Sequence, residues 1–273
     1  MHTRGFGKNI LASCVICGLT LQVGAADAQD PWADNIVSYE AGSGAAEGYT
    51  EPATALGEPA RMTGSAPWEG AVTPFNPPWL TDQIVSLGAG GHLIVGFEQP
   101  ITNDPGHLYG VDFMIFGNGG FIDANWPAGQ VGGLLEEGPF SVSVSFDGID
   151  FVTLDANCQD AMFPTLGYSD LEDPYAVEPG LLPSDFTKPM NPALTYADFD
   201  GLTFDQIVPL YDGSGGGIPF DIAGSGLDEI FYVRVDVPDG AVSPEFDAFV
   251  AVPEPAWACL FSLALFGALR RGR

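Results

Sequence analysis

Hydrophobic and polar residues alternate along much of the chain in short runs, broken by Gly, Pro, Asn and Asp. Successive side chains of a strand point to opposite faces, so this period of two predicts half-buried β-strands. The clearest run is Phe140-Ser-Val-Ser-Val-Ser-Phe146, with Phe140, Val142, Val144 and Phe146 on one face and serines on the other. The turn Asp147-Gly148 then leads into Asp150–Leu154, a hairpin signal. Further strands are expected at Ile84–Leu87, His92–Phe97 (closed by Pro100), Val111–Phe116, Leu202–Val208, Ile230–Val237 and Phe246–Val252. No stretch sustains a period of 3.6. Short strands with one polar face fit an all-β, antiparallel two-sheet sandwich with long Pro/Gly-rich loops. Two regions break the spacing: the Pro-rich segment Asn157–Pro192, read as an ordered insertion or long loop, and the Gly-rich stretch Gly213–Gly226.

The ends follow a different pattern. Arg4 and Lys8 precede a largely apolar stretch, Ile10–Val23, and then Ala26-Asp27-Ala28. A positive start, an apolar middle and a small-x-small site make a signal peptide over residues 1–28. At the other end, Pro253-Glu254-Pro255 is followed by the uncharged run Ala256–Leu269 and then Arg270-Arg271-Gly272-Arg273. As a helix that run covers roughly 21 Å, short of the roughly 30 Å hydrocarbon core, so it enters a bilayer with Trp257 and the arginines at the two interfaces. The order of parts resembles the PEP-CTERM sorting signal of Gram-negative bacteria. That resemblance implies transient inner-membrane anchoring through residues 256–269, recognition by an exosortase-type protease, and arrival at the cell surface or extracellular matrix. The exported part is then one domain over residues 29–252, followed by the sorting segment 253–273.

Removing the ends changes the charge. The whole chain carries eight basic and thirty-six acidic residues. Only Arg61, Lys188 and Arg234 remain in residues 29–252 against thirty-four acids, a net charge of −31. Such a surface repels nucleic acid and anionic lipid, because binding phosphate needs Lys and Arg. Its natural counter-ion outside the cell is Ca²⁺, which takes clustered oxygen ligands. The composition is not that of a disordered polyanion, since 46% of the chain is hydrophobic. Cys158 is the one cysteine outside the ends, and it reads as a small buried apolar residue.

A second resemblance covers about residues 36–252. Val85-Ser-Leu-Gly-Ala-Gly-Gly-His-Leu-Ile-Val-Gly-Phe97, Val111-Asp-Phe-Met-Ile-Phe-Gly-Asn118 and Val142-Ser-Val-Ser-Phe-Asp-Gly-Ile-Asp-Phe-Val152 are similar, in this order, to motifs of a family of bacterial cell-surface proteins. Gly216–Ile222, Val233–Asp236 and Glu245–Phe249 resemble its closing pieces. The resemblance implies a discoidin-like, galactose-binding-like jelly roll. The chain departs from it at Gly117, where such proteins often carry Glu, and in the length of 157–192.

Catalytic signatures are scarce. Outside the ends there are two histidines, His92 on a strand and His107 in a Pro-Gly loop, with no nucleophile elbow, zinc-binding helix motif or phosphate-binding loop. Carboxylate pairs such as Glu136/Glu137 exist, but with so many acids chance pairs are inevitable, and a secreted glycoside hydrolase is the third reading. Turn and strand-end aspartates are the candidate Ca²⁺ ligands, foremost Asp112, Asp221 and Asp247; the family resemblance places Asp221 and Asp247 within its recurring motifs. None completes a calcium-loop pattern, and Asp in turns also serves Asx-turn geometry. Trp68, Trp79 and Trp126 lie in Pro/Gly loops instead of alternating strands, where flat aromatic faces suit stacking on sugar rings. The leading expectation is a non-catalytic, exported surface or matrix protein associated with exopolysaccharide. The alternative is a calcium-dependent carbohydrate-binding module.

Overall fold

The computed structural model describes residues 30–135, 138–159, 163–240 and 243–253. The expected signal peptide, Glu136/Glu137, and the hydrophobic helix and arginines of the sorting segment lie outside the described residues, as do Glu254 and Pro255. Among the described residues, no helix is long and apolar enough to cross a membrane.

The strands are β1 (Asn35–Glu40), β2 (Met62–Thr63), β3 (Gly70–Ala71), β4 (Val85–Ser86), β5 (His92–Thr102), β6 (Phe113–Gly117) and β7 (Gly120–Asp123). They continue with β8 (Val131–Leu135), β9 (Pro139–Ser145), β10 (Val152–Gln159), β11 (Ile218–Phe220), β12 (Glu229–Asp236) and β13 (Glu245–Ala251). One sheet has the order β1-β5-β12-β9-β10 and the other β11-β6-β13-β4. The ladders within both are antiparallel. The expected all-β antiparallel sandwich is therefore the fold. Two short ribbons, β2–β3 and β7–β8, stand beside it.

Register explains the core. Leu93, Val235 and Val142 lie opposite one another across β5, β12 and β9, and so do Val95, Val233 and Val144. All six are fully buried. These rows meet Phe113, Ile115, Phe246 and Phe249 of the other sheet in one apolar cluster. Phe140 packs edge-on to Phe246 at 5.0 Å, and Phe113 stacks on Phe220 at 4.9 Å. Each such side chain stabilises the fold by about 1.5–3 kcal/mol through burial.

The alternation breaks where a sheet is covered twice. Phe113-Met-Ile-Phe116 is buried throughout because Met114 and Phe116 pack outward against Phe186, Ala248 and Val250. Phe186 comes from the 157–192 segment, which begins in β10 and, in its described part from 163 on, is irregular with backbone bonds such as Ser169 N–H to Leu182 O and Ser184 N–H to Gly167 O.

Three expectations are corrected. Leu202–Val208 is not a strand, since Phe204–Tyr211 forms a helix, α2, after a one-turn helix α1 at Tyr196–Phe199. A capping box starts it: the Thr203 side chain takes the Gln206 N–H, and the Gln206 side chain takes the Thr203 N–H. Phe204, Ile207 and Tyr211 then fall on one buried face. Pro100 does not close its strand, because β5 runs on to Thr102 through an irregularity in its pairing with β12 between Ile230 and Tyr232, where proline's missing N–H costs no ladder bond. Phe146 is 51% exposed, because β9 stops at Ser145; its ring packs on Phe231 beside the Asp147-Gly148 turn.

Candidate functional site

The three loop tryptophans come together. Trp68, Trp79 and Trp126, from three separate loops, line one open hollow of about 400 Å³ with Tyr175 and Asn76. Trp68 and Trp126 are 75% and 73% exposed, and Trp79 is 39% exposed. Trp68 and Trp126 thus leave most of their ring surface to water.

Each ring is held by a different local device. Trp68 sits in the β2–β3 connection, where its N–H donates to Ser65 O at 2.7 Å. That turn needs Gly64, which has φ +79°; a Cβ there would lie 2.1 Å from Trp68 O. Trp79 is fixed through its backbone, its N–H donating to Thr63 Oγ1 at 3.1 Å and its carbonyl accepting from the Tyr49 hydroxyl at 2.7 Å. Thr63 is buried and in turn donates to Gln83 Oε1 at 2.7 Å.

Trp126 lies in the β7–β8 connection, which is organised around Asp123. The Asp123 carboxylate accepts from the N–H groups of Asn125, Gly129 and Gln130 at 2.9–3.0 Å and from the Tyr175 hydroxyl at 3.1 Å. Burial pushes its pKa up, but these donors outweigh it and hold the carboxyl below its ordinary range. The Tyr175 phenol is driven in the opposite direction, by burial first and then by the charge of Asp123. Tyr175 is thus locked as a neutral donor, with its ring 6.5 Å from that of Trp126. The segment carrying it is tied to β3 and the following loop by Ala71 N–H to Ala176 O at 2.7 Å and Thr73 Oγ1 to Pro174 O at 2.6 Å.

A second hollow of about 420 Å³ adjoins the first and shares Glu69 and Val177 with it; Glu178, Met62 and Leu80 are among its other lining residues. The two hollows meet at the shared residues, the first lined by the aromatic rings and the second carrying Glu69 and Glu178 among apolar neighbours. Glu69 and Glu178 are both exposed.

The aspartates singled out as calcium ligands have structural partners. Asp112 is buried at the start of β6 and accepts from His107 Nδ1 at 2.8 Å, Asp104 N–H at 3.2 Å and Ile222 N–H at 2.9 Å. Asp221 caps the short helical turn 222–225 by accepting from Ala223 N–H at 2.8 Å. Asp247 is buried in β13 and accepts from Ala60 N–H at 2.8 Å. Burial pushes its pKa up to about 7 against that bond. Asp112 and Asp221 lie near each other where β6 meets β11, and Asp247 is further along β13. Among the described residues, no three His, Cys, Asp or Glu side chains are grouped as a metal ion requires.

Tyr175 and Asp123 were not singled out by sequence. Tyr175 lies within the Pro-rich segment 157–192, and nothing local shows that it meets Asp123 and the ring of Trp126. Cys158 is buried, as expected.

No family model and no curated protein matches the chain. Among solved structures, a pectin-binding carbohydrate-binding module is similar over 63% of this chain and 73% of its own, with 8% identity and a TM-score of 0.26.

Proposed function

We propose that the protein is an exported, non-catalytic surface or extracellular-matrix protein that holds exopolysaccharide in the groove of Trp68, Trp79, Trp126 and Tyr175. The observation that carries this reading is the convergence of three exposed tryptophans from three loops on one hollow. Stacking on aromatic faces favours the flat CH faces of sugar rings, and water-exposed rings are ready for it without rearrangement. In this reading the tail with Pro253, Glu254, Pro255, Arg270 and Arg271 is a removable address handled by an exosortase-type protease.

Affinity electrophoresis through gels containing soluble polysaccharides tests the binding. At least one polysaccharide should retard the protein, and Trp68→Ala with Trp126→Ala should abolish the retardation while the circular dichroism spectrum stays unchanged. Retardation that survives the double substitution removes the groove from the reading. Release of reducing ends that stops in Glu69→Gln would overturn the non-catalytic part. Deleting residues 253–273 should leave the protein unsorted; unchanged location and processing would end the sorting claim.

A further inference from the structure

Resting on the glycan-binding reading, we infer that the groove takes an uncharged polysaccharide and excludes uronate-bearing chains. The starting point is where the positive charge goes. Among the described residues the basic side chains are Arg61, Lys188 and Arg234. Each is occupied within the fold and none lines the groove.

Arg61 donates to Gly167 O at 2.7 Å, to Ser184 O at 3.0 Å and to Glu58 Oε1, with its guanidinium 4.1 Å from the centre of the Phe186 ring. Lys188 donates to both the carbonyl and the carboxylate of Asp212. Arg234 forms a two-pronged pair with Asp236, at 2.5 and 2.7 Å. A sugar carboxylate is ordinarily met by such a fork or by an ammonium. Among the described residues, neither lines the groove.

The groove instead offers acceptors. Glu69 and Glu178 are exposed carboxylates, each able to take hydrogen bonds from sugar hydroxyls. A chain stacked on Trp68 and Trp126 therefore lies beside Glu69, with Glu178 in the adjoining hollow, carboxylates that accept from hydroxyls and repel anions. Like charges brought into contact repel, and more strongly near a protein surface than in bulk water. The surrounding surface, with a net charge of −31 over residues 29–252, adds a long-range repulsion that salt screens over about 10 Å at 0.1 M.

The experiment compares the exported protein on neutral chains (mixed-linkage glucan, xyloglucan, galactomannan) and on polygalacturonate and alginate, at about 20 mM and about 500 mM salt. One series contains EDTA and the other millimolar Ca²⁺. At low salt in EDTA, a neutral chain should bind at least about tenfold more tightly than either uronate, and the gap should narrow at high salt. The variant Glu69→Lys with Glu178→Lys, both at exposed positions, should acquire binding to polygalacturonate. Uronate binding equal to or tighter than neutral binding in EDTA would overturn the charge selection while leaving the groove's glycan role intact. Uronate binding confined to the Ca²⁺ series would overturn it as well, since a bridging cation would then supply the missing charge. If no polysaccharide binds under any condition, the glycan reading itself falls and this inference with it.

Discussion

The central core of the sandwich and the smaller core behind the aromatic groove bury similar residues by different means. In the first, three strands in register line up Leu93, Val235 and Val142, and ladder bonds fix every position. In the second, Phe75, Phe121, Phe199, Phe204 and Ile207 come from loops, a short ribbon and two small helices. Phe75 touches Phe121 and Phe204 edge-on at 6.0 and 6.3 Å. Its backbone is held by single polar side chains such as Thr73, Asp123 and Thr203, each bonded to main-chain groups. A ladder shares its load over many equivalent bonds, whereas a loop held by one carboxylate depends on that carboxylate. Stability should therefore respond mostly to apolar changes in the sandwich, and binding mostly to polar and aromatic changes around the groove.

The largest effect should come from the sandwich. Phe249 is fully buried between the sheets and stacks on Phe246 at 6.0 Å. Phe249→Ala should cost about 3–5 kcal/mol in urea unfolding, while the protein that remains folded should bind polysaccharide as before. A loss under about 1 kcal/mol would mean that the core collapses around the gap and is less tightly specified than its register implies.

Next comes a pair of carboxylates whose pH effects have opposite sign. Asp247 is buried on β13 with its pKa raised to about 7 by that burial, above the ordinary value near 3.9. The folded state then holds a proton that the unfolded chain has lost, so the contribution of this group falls as pH rises from about 4 to about 7, and is flat above. Asp247→Asn keeps an acceptor for Ala60 N–H without the charge. It should raise stability by about 2–4 kcal/mol at pH 8 and by little near pH 4. Melting curves at the two pH values check this, and equal destabilisation at both would show that the carboxylate, not its charge, is what the site requires. Asp123 beside the groove runs the other way. Its pKa is depressed by its bonded donors, so its contribution is complete above the unfolded value and is lost as pH falls through the folded one.

The sandwich was far more legible in the sequence than the groove. Phe140, Val142 and Val144 announce their face by strict alternation, because one side of β9 meets the core. Leu202–Val208 reads as alternating although it is helical. Its informative signal was the capping pair Thr203 and Gln206, a spacing of three that hydrophobic alternation masks. The tryptophans could be picked from their loop settings, but their convergence depends on contacts between residues 50 or more apart, such as Tyr175 with Asp123. No local pattern encodes those. Asp112, Asp221 and Asp247 were legible as special positions, and each accepts from a backbone N–H group.

The third and fourth predictions test whether the groove depends on its supports. Asp123→Ala removes the acceptor for three N–H groups and one hydroxyl. The cost should be about 1–2 kcal/mol, because partly exposed donors regain water. Binding should weaken by about tenfold all the same, since the turn carrying Trp126 and the ring of Tyr175 lose their shared anchor. Trp126→Ala should change stability least, within about 0.5 kcal/mol, because the side chain is 73% exposed. It should nevertheless weaken polysaccharide binding by about tenfold or more by isothermal calorimetry, matching the loss of about 1.4 kcal/mol or more of stacking. If Trp126→Ala destabilises the fold as much as Asp123→Ala does, its ring is a packing element despite its exposure. If it leaves affinity intact while Trp68→Ala does not, the chain crosses only the Trp68 side of the hollow. A small stability change with a large binding change is the outcome the two-region comparison requires, because exposed aromatic surface contributes little until a ligand covers it.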